Sequence, residues 1–394
     1  MIALAEQKHP HLEFRVADAE SADIEEKFDY IVLSDVVGSV DDLQAVFRRL
    51  RPACRAGTRI IISYYNYLWE PLLKLGERFG LKLRQPEQSW LSSFDLINLL
   101  ELEGFEMIKV ERKILFPYKF PFLEIIFNRW LANLPIINRF CLASFIVARF
   151  PFAGPEASVS IVIPAKNEKG NIENAVKNIP AFGREQELIF IEGGSADGTY
   201  EEMLRVKGLY PDRRITVMRQ SGRGKGNAVA EAFLRSQGEI LMILDADLTV
   251  PPEDLPKFYE ALKNGRGEFI NGCRLVYPLE KEAMRFLNLL ANKFFGIFFS
   301  YLLGQRLKDT LCGTKALFRS DYEEIRLNRS YFGDFDPFGD FDLLFGAAKL
   351  NLKIREIPVR YRERRYGSTQ IRRFAHGWLL LKMCLVAAKK IKFI

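Results

Sequence analysis

Two stretches of the chain alternate short apolar runs with polar segments of helical period. In the first, apolar runs at 13–16, 30–33, 59–63 and 105–110 predict strands separated by helices, the rhythm of a parallel α/β sheet. Polar side chains follow the first two runs: Asp18 after one, Ser34 and Asp35 after the other. Such positions fall at the carboxyl edge of a sheet, where α/β folds take ligands. In the second stretch, apolar runs at 159–163, 187–191 and 240–244 each lead into a polar loop. Between the two lies an aromatic and apolar segment, 116–156, broken by Pro117, Pro121 and Pro135 and ended by a Pro- and Gly-rich turn. That punctuation predicts a boundary near 150–156.

Residues 286–304 are the best candidate for a membrane span. Asn288, Asn292 and Lys293 leave its uncharged run too short to cross a bilayer. As a helix it would align Arg285, Asn288, Asn292, Gly296 and Ser300 on a narrow stripe, with Phe294, Phe295, Phe298 and Phe299 around the rest. It is either a buried helix or one lying in a membrane interface beside residues 371–394, read as a basic amphipathic helix.

The 394 residues suggest two domains, and 48% hydrophobic with 27% charged residues is enough to build cores without a disordered tract. Five cysteines without a CxxC pair, and three histidines, offer no basis for a zinc site or a disulfide framework. The amino terminus has neither a basic flank nor a long apolar run, so a cytoplasmic location without export is expected. Net charge is +7, yet residues 351–394 hold twelve basic and two acidic side chains, which leaves the rest of the chain near −3. This basic tail suits nucleic acid, anionic lipid or a phosphorylated substrate, or is a solvated face.

Four loops carry the candidate chemistry. Pro164, Ala165, Asn167 and Glu168 follow one strand, while Glu192 ends the next and leads through Gly193, Gly194 and Ser195 to Asp197. Residues 221–227, with three glycines, Arg223 and Lys225, open a helix in a way that suits an anionic ligand. An apolar strand then runs into Asp245 and Asp247, two carboxylates at an i, i+2 spacing that in extended geometry point the same way. Their hard oxygen donors suit Mg²⁺ or Mn²⁺.

In this order and spacing the four loops resemble family-2 glycosyltransferases of GT-A fold, over about residues 159–373. The resemblance implies an α/β domain at 157–370 with a Rossmann-like mixed sheet and a nucleotide-sugar site. Pro164, Ala165, Asn167, Glu168, Glu192, Asp197 and Lys225 would line the UDP- or GDP-sugar, and Asp245 and Asp247 would bind the metal. Residues 271–274, 308–313, 341–344 and 355–369 look most like the dolichyl-phosphate mannose synthase group. That implies an inverting transfer to polyprenyl phosphate at a membrane surface. A phosphate monoester is already anionic near neutral pH, so the chemistry asks for cations to hold it, and Arg274, Arg364 and Arg365 are the candidates. A sugar hydroxyl would need a base instead, with Asp340 and Asp342 as candidates that serve equally as helix caps. The rival class is a non-catalytic protein whose tail binds lipid or nucleic acid. No nucleic-acid module is recognisable, so nucleic acid is not the expected partner.

Residues 15–19, 28–35 and 51–57 resemble the later half of a class I S-adenosylmethionine-dependent methyltransferase. Only 17 residues precede Asp18 and none is glycine. The family's glycine-rich cofactor loop and ribose-binding acid would both fall before it. Residues 1–115 are therefore expected to form a partial Rossmann-like methyltransferase sheet without methyltransferase activity, or a plain α/β scaffold.

Overall fold

The computed structural model describes residues 2–83, 88–118, 120–278, 286–328, 339–364, 366–367 and 373–393. They divide into two compact units, Met1–Pro151 and Phe152–Ile394.

The first unit contains α1 (Ile2–Lys8), β1 (Phe28–Ser34), α2 (Leu43–Leu50), β2 (Cys54–Tyr65), α3 (Glu70–Arg78), α4 (Ser93–Leu102), β3 (Glu106–Lys113) and β4 (Ala143–Arg149). Its sheet has the order β1-β2-β4-β3. The expected parallel rhythm holds for β1 and β2, while β4 runs antiparallel to both β2 and β3. Ile60 and Ile62 of β2 are fully buried, as are Phe47 of α2 and Leu96 of α4. Local chemistry starts both helices. Asp42 accepts from the Ala45 amide ahead of α2, and Ser92 and Asp95 form a reciprocal cap on α4.

Two expectations change here. Residues 13–16 are not a strand but an irregular, largely exposed segment. Asp18 accepts from the Glu20 amide at 3.2 Å and the Ser21 hydroxyl at 3.0 Å, closing its own turn. The segment 116–156 also does more than connect. Its residues 143–149 form β4, whose apolar run is buried between two neighbours and so shows no clean alternation.

The second unit contains β5 (Val159–Ala165), α5 (Ile172–Asn178), β6 (Gln186–Glu192), α6 (Thr199–Leu209), β7 (Arg214–Arg219), α7 (Lys225–Arg235), β8 (Ile240–Ile243), α8 (Leu255–Lys263) and β9 (Phe269–Cys273). It continues with α9 (Phe286–Leu303), β10 (Lys315–Phe318), α10 (Arg319–Leu327), α11 (Asp340–Lys349), β11 (Ile354–Pro358) and α12 (Arg373–Ile391). The seven-stranded sheet has the order β11-β9-β10-β8-β5-β6-β7. β5 pairs parallel with β6 and β8, β6 pairs parallel with β7, and β10 is antiparallel to β8 and β9. Because β5, β6 and β8 are buried on both faces, they read as unbroken apolar runs. The carboxyl ends of these three strands and of the parallel β7 bring the four polar loops to one edge.

Helices cover both faces of this sheet. α5, α6 and α8 pack on one side, while α7, α9, α11 and α12 build the larger cluster on the other. α9 buries Phe295, Phe299, Leu302 and Leu303, and the Phe299 ring lies 4.5 Å from Phe341 and 5.1 Å from Phe345. Its other side leaves Leu290, Phe294 and Ile297 exposed. α12 behaves alike, burying Leu380, Met383, Cys384 and Ala387 while exposing Trp378, Leu381 and Leu385. Each exposed trio sits at three- and four-residue spacing, one stripe of a helix. Among the described residues no helix is long and apolar enough to cross a membrane.

Candidate active site

The loops after β5 and β6 are stitched together by their own polar side chains. The Asn167 amide donates to Ser195 Oγ at 2.9 Å, and Asn167 Oδ1 accepts from the Ala196 amide at 2.9 Å. Asn167 has φ +57°, a left-handed conformation that asparagine tolerates better than most residues. The Glu168 amide donates to Thr199 Oγ1 at 3.0 Å, and the Lys169 amide donates to Asp197 Oδ2 at 3.2 Å. Burial pushes the Asp197 carboxyl up, but hydrogen bonds from Thr199, Lys169 and Tyr366 outweigh it and leave the group below the usual aspartate range. Glu192 is buried at the end of β6 and accepts from the Ser195 amide, so its carboxylate folds back onto its own loop.

Asp245 and Asp247 sit in a turn just past β8 and not in extended strand. The Leu248 amide donates to the Asp245 carbonyl at 3.1 Å, and Leu248 has φ +52°. The turn therefore, and not strand alternation, sets the directions of the two carboxylates. Both stand in one electrostatic neighbourhood, since Asp245, Asp340 and Asp247 together raise the Lys225 ammonium above its ordinary value against the opposing effect of burial. Lys225 Nζ lies 2.5 Å from Asp245 Oδ1. Burial alone would raise Asp245, but Lys225 overrides it and holds the carboxyl below the usual range. Asp247 Oδ1 accepts from Thr249 Oγ1 at 2.8 Å, and its Oδ2 accepts from Arg364 Nη2 at 2.6 Å.

Arg364 also donates to Glu168 Oε1 at 2.5 Å, bridging the loops after β5 and β8. Asn171 holds the other Glu168 oxygen at 2.8 Å. Glu168 is buried, and burial raises its carboxyl above the ordinary value despite Arg364 and Asn171. Two residues on, the Tyr366 hydroxyl donates to Asp197 Oδ2 at 3.3 Å. Its ring lies where a Cβ on Gly170 would come within 2.6 Å, so only glycine admits the contact. Arg364 and Tyr366 thus reach across the strand-end loops from one segment of chain.

The other expected residues are placed less simply. Arg274 is committed to the fully buried Asp309 by a bidentate pair, Nε to Oδ2 at 2.7 Å and Nη2 to Oδ1 at 2.8 Å. Asp340 accepts from the fully buried Lys315 at 2.8 Å, so a structural ion pair occupies this candidate base. Asp342 lies half-buried in the first turn of α11. Arg365 falls outside the described residues. In the loop before α7 the Ser221 and Gly222 amides are taken by Glu231, which turns part of the expected anion cradle inward. Lys315, Thr199 and Tyr366 escaped sequence reasoning. Only Tyr366 had a visible flag, since it adjoins the arginine-rich run 360–365.

Two aspects of this site fit a divalent cation. Asp245 and Asp247 supply hard carboxylate oxygens, and Gly313 leaves the approach to Asp245 open, because a Cβ there would strike Asp245 Oδ2 and Lys225 Nζ. Among the described residues no group of three or more His, Cys, Asp or Glu side chains gathers as a metal set. Two carboxylates suffice for Mg²⁺, which takes its remaining ligands from water and substrate phosphates. Gly313→Ala is expected to force the Lys225–Asp245 pair apart at a cost of about 1–3 kcal/mol, measured by chemical denaturation.

Two parts of the chain match known protein families. Residues 160–326 match glycosyl transferase family 2, and residues 3–110 match a methyltransferase domain. Dolichol-phosphate mannosyltransferase of Pyrococcus furiosus is 30% identical over 179 residues, covering 43% of this chain and 49% of the relative. Glycosyltransferase AglJ of Haloferax volcanii is 31% identical over 215 residues, covering 54% and 66%. Undecaprenyl-phosphate 4-deoxy-4-formamido-L-arabinose transferase of Edwardsiella ictaluri is 27% identical over 219 residues, covering 54% and 62%. The chain thus spans between about half and just under two thirds of these curated relatives. Among solved structures, a mannosyltransferase of Pyrobaculum calidifontis in complex with GDP-Man and Mn²⁺ aligns at 21% identity and a TM-score of 0.42, covering 61% of this chain and 65% of that one. The chain thus carries a glycosyl transferase family 2 domain at residues 160–326, on the seven-stranded mixed sheet, preceded by a methyltransferase domain at residues 3–110.

Proposed function

We propose that the second unit moves a sugar from a UDP- or GDP-sugar to polyprenyl phosphate at a membrane surface, in a single inverting displacement. The observation that carries this reading is the juxtaposition of Asp245, Asp247, Lys225 and Arg364 at one strand edge, beside the stitched loops after β5 and β6. In this reading the loops 164–168 and 192–199 hold the nucleoside. Asp245 and Asp247 would hold Mg²⁺ or Mn²⁺, which when bound would neutralise charge on the departing diphosphate. Lys225 keeps Asp245 ionised, and Arg364 orients Asp247. The acceptor phosphate needs no strong base, and we assign its binding to Arg364 and Arg365, with Arg274 fixing the floor of the site through Asp309. The relatives from Pyrococcus furiosus and Edwardsiella ictaluri, named for dolichol- and undecaprenyl-phosphate, support this acceptor class. The exposed apolar stripes of α9 and α12, together with Lys382, Lys389 and Lys390, suit a peripheral position on the cytoplasmic face of a membrane.

A thermal-shift panel of UDP- and GDP-sugars, with and without Mn²⁺, tests the donor half of this reading. One donor is expected to raise the second unit's midpoint only with the metal present, by mass action on the folded state. Flat midpoints across the panel would contradict it.

A further inference from the structure

The first unit carries an apolar surface that neither domain match accounts for. It lies at the carboxyl edge of its sheet, where the segment between β3 and β4 meets the segment after β2. Phe120, Phe122, Ile125, Trp130, Ile136 and Phe140 all stand at least half exposed, with Phe122 at 79% and Ile136 at 76%. At about 150–250 Å² for each large side chain, these six together expose roughly 700 Å² of apolar area along one short segment of chain. Leu72 and Leu75 of α3, and Phe79 just after it, are exposed as well. The two segments are joined, since Trp69 Nε1 donates to the Phe140 carbonyl at 2.7 Å and Asn66 Nδ2 donates to the Arg139 and Cys141 carbonyls.

Within the segment, polar side chains are spent on the backbone. Asn128 closes a loop by accepting from the Phe116 amide and donating to its carbonyl, both at 2.8 Å. Asn138 Nδ2 donates to the Ala132 carbonyl at 2.6 Å and the Arg112 carbonyl at 3.1 Å, and Asn133 Nδ2 donates to the Arg129 carbonyl at 2.8 Å. A segment built this way satisfies backbone groups internally, as an apolar medium requires, while turning aromatic and aliphatic side chains outward. Its charge is one-sided. Residues 112–140 hold five basic side chains (Arg112, Lys113, Lys119, Arg129, Arg139) against the single Glu124. Outward apolar and Trp/Tyr side chains accompanied by the exposed Arg129 and Arg139 complement an anionic bilayer interface.

We propose that residues 120–140, with α3, form a docking surface for an anionic lipid bilayer, so that the methyltransferase-type unit has a membrane contact of its own. This does not rest on the transfer reaction proposed for the second unit. All five native cysteines are buried. Ile136→Cys in the full chain therefore offers a selectively accessible thiol for an environment-sensitive fluorophore, and Leu204→Cys on α6 serves as the control. With phosphatidylcholine vesicles containing about one third phosphatidylglycerol, the label at 136 is expected to shift to the blue and the label at 204 to stay unchanged. The triple variant Phe122→Ser, Trp130→Ser, Ile136→Ser is expected to lower vesicle affinity by about tenfold while keeping the native thermal midpoint. A label at 136 that still reports water at saturating vesicles, or a triple variant that binds vesicles as the native chain does, would overturn the proposal. So would concentration-dependent self-association abolished by the triple variant without any vesicle binding, which would give the face to a second copy. Binding through α9 and α12 alone leaves the label at 136 in water, and failure of the donor panel leaves it in lipid, so the two readings fail separately.

Discussion

Replacing Asp309 with alanine is expected to destabilise the second unit by about 3–5 kcal/mol, lowering its thermal midpoint by roughly 6–20 °C in calorimetry. The cause is the partner left behind. Arg274 is mostly buried, and its guanidinium meets Asp309 in a bidentate pair, so removing the carboxylate strands a desolvated cation. Two further bonds go with it, from the Arg274 amide at 3.0 Å and the Leu311 amide at 3.2 Å. A double variant, Arg274→Leu with Asp309→Leu, is expected to cost less than the single change, because it removes the charge along with its partner. Burial raises the Asp309 carboxyl, but Arg274 outweighs it and holds the group below its ordinary value of 3.8. The stability from this pair is therefore complete above that pH and drains away as the pH falls toward the folded value. The native chain should lose stability more steeply than the double variant in that acidic window.

Asp245→Asn is the second large effect, and it falls on chemistry more than on the fold. Asp245 lies in a partly exposed turn, and its loss leaves Lys225 with access to water and with Asp340 and Asp247 nearby. Thermal unfolding should therefore move little. In the proposed reaction, sugar transfer should fall by about 10²–10³-fold or more, the scale of removing one preorganised electrostatic contact to a developing charge. A loss of transfer matched by a collapse of the midpoint would point to a structural role for Asp245 instead.

The sequence pattern exposed the parallel core because β5, β6 and β8 are buried on both faces, and doubly buried strands need apolar side chains at every position. The strand-end loops were legible for the same reason, as the first polar residues after each run. β4 was not legible, since residues 143–149 continue an aromatic segment whose apolar character has two different causes: sheet burial after Ala143 and outward display before it. The run at 13–16 erred the other way, offering strand-like residues with no partner strand to bury them. Within the site, local spacing revealed Asp245, Asp247 and Lys225. The bridge from Arg364 to Glu168 spans 196 residues, and that from Arg364 to Asp247 spans 117. Contacts at such separations leave no periodic trace. The commitment of Arg274 to Asp309 was hidden likewise, because a cation that holds a phosphate and one that holds a buried carboxylate look the same in sequence.

Asp245 and Asp247 are proposed to serve one divalent ion together with a nucleotide. The most direct test is an electron paramagnetic resonance titration of Mn²⁺ into the full chain with UDP or GDP present, beside the Asp245→Asn, Asp247→Asn double variant. The native chain is expected to remove about one equivalent of free Mn²⁺ signal with one of the two nucleotides, and the double variant to leave the signal as in buffer. A double variant that sequesters the ion as well as the native chain, or a native chain that takes up none with either nucleotide, would contradict it.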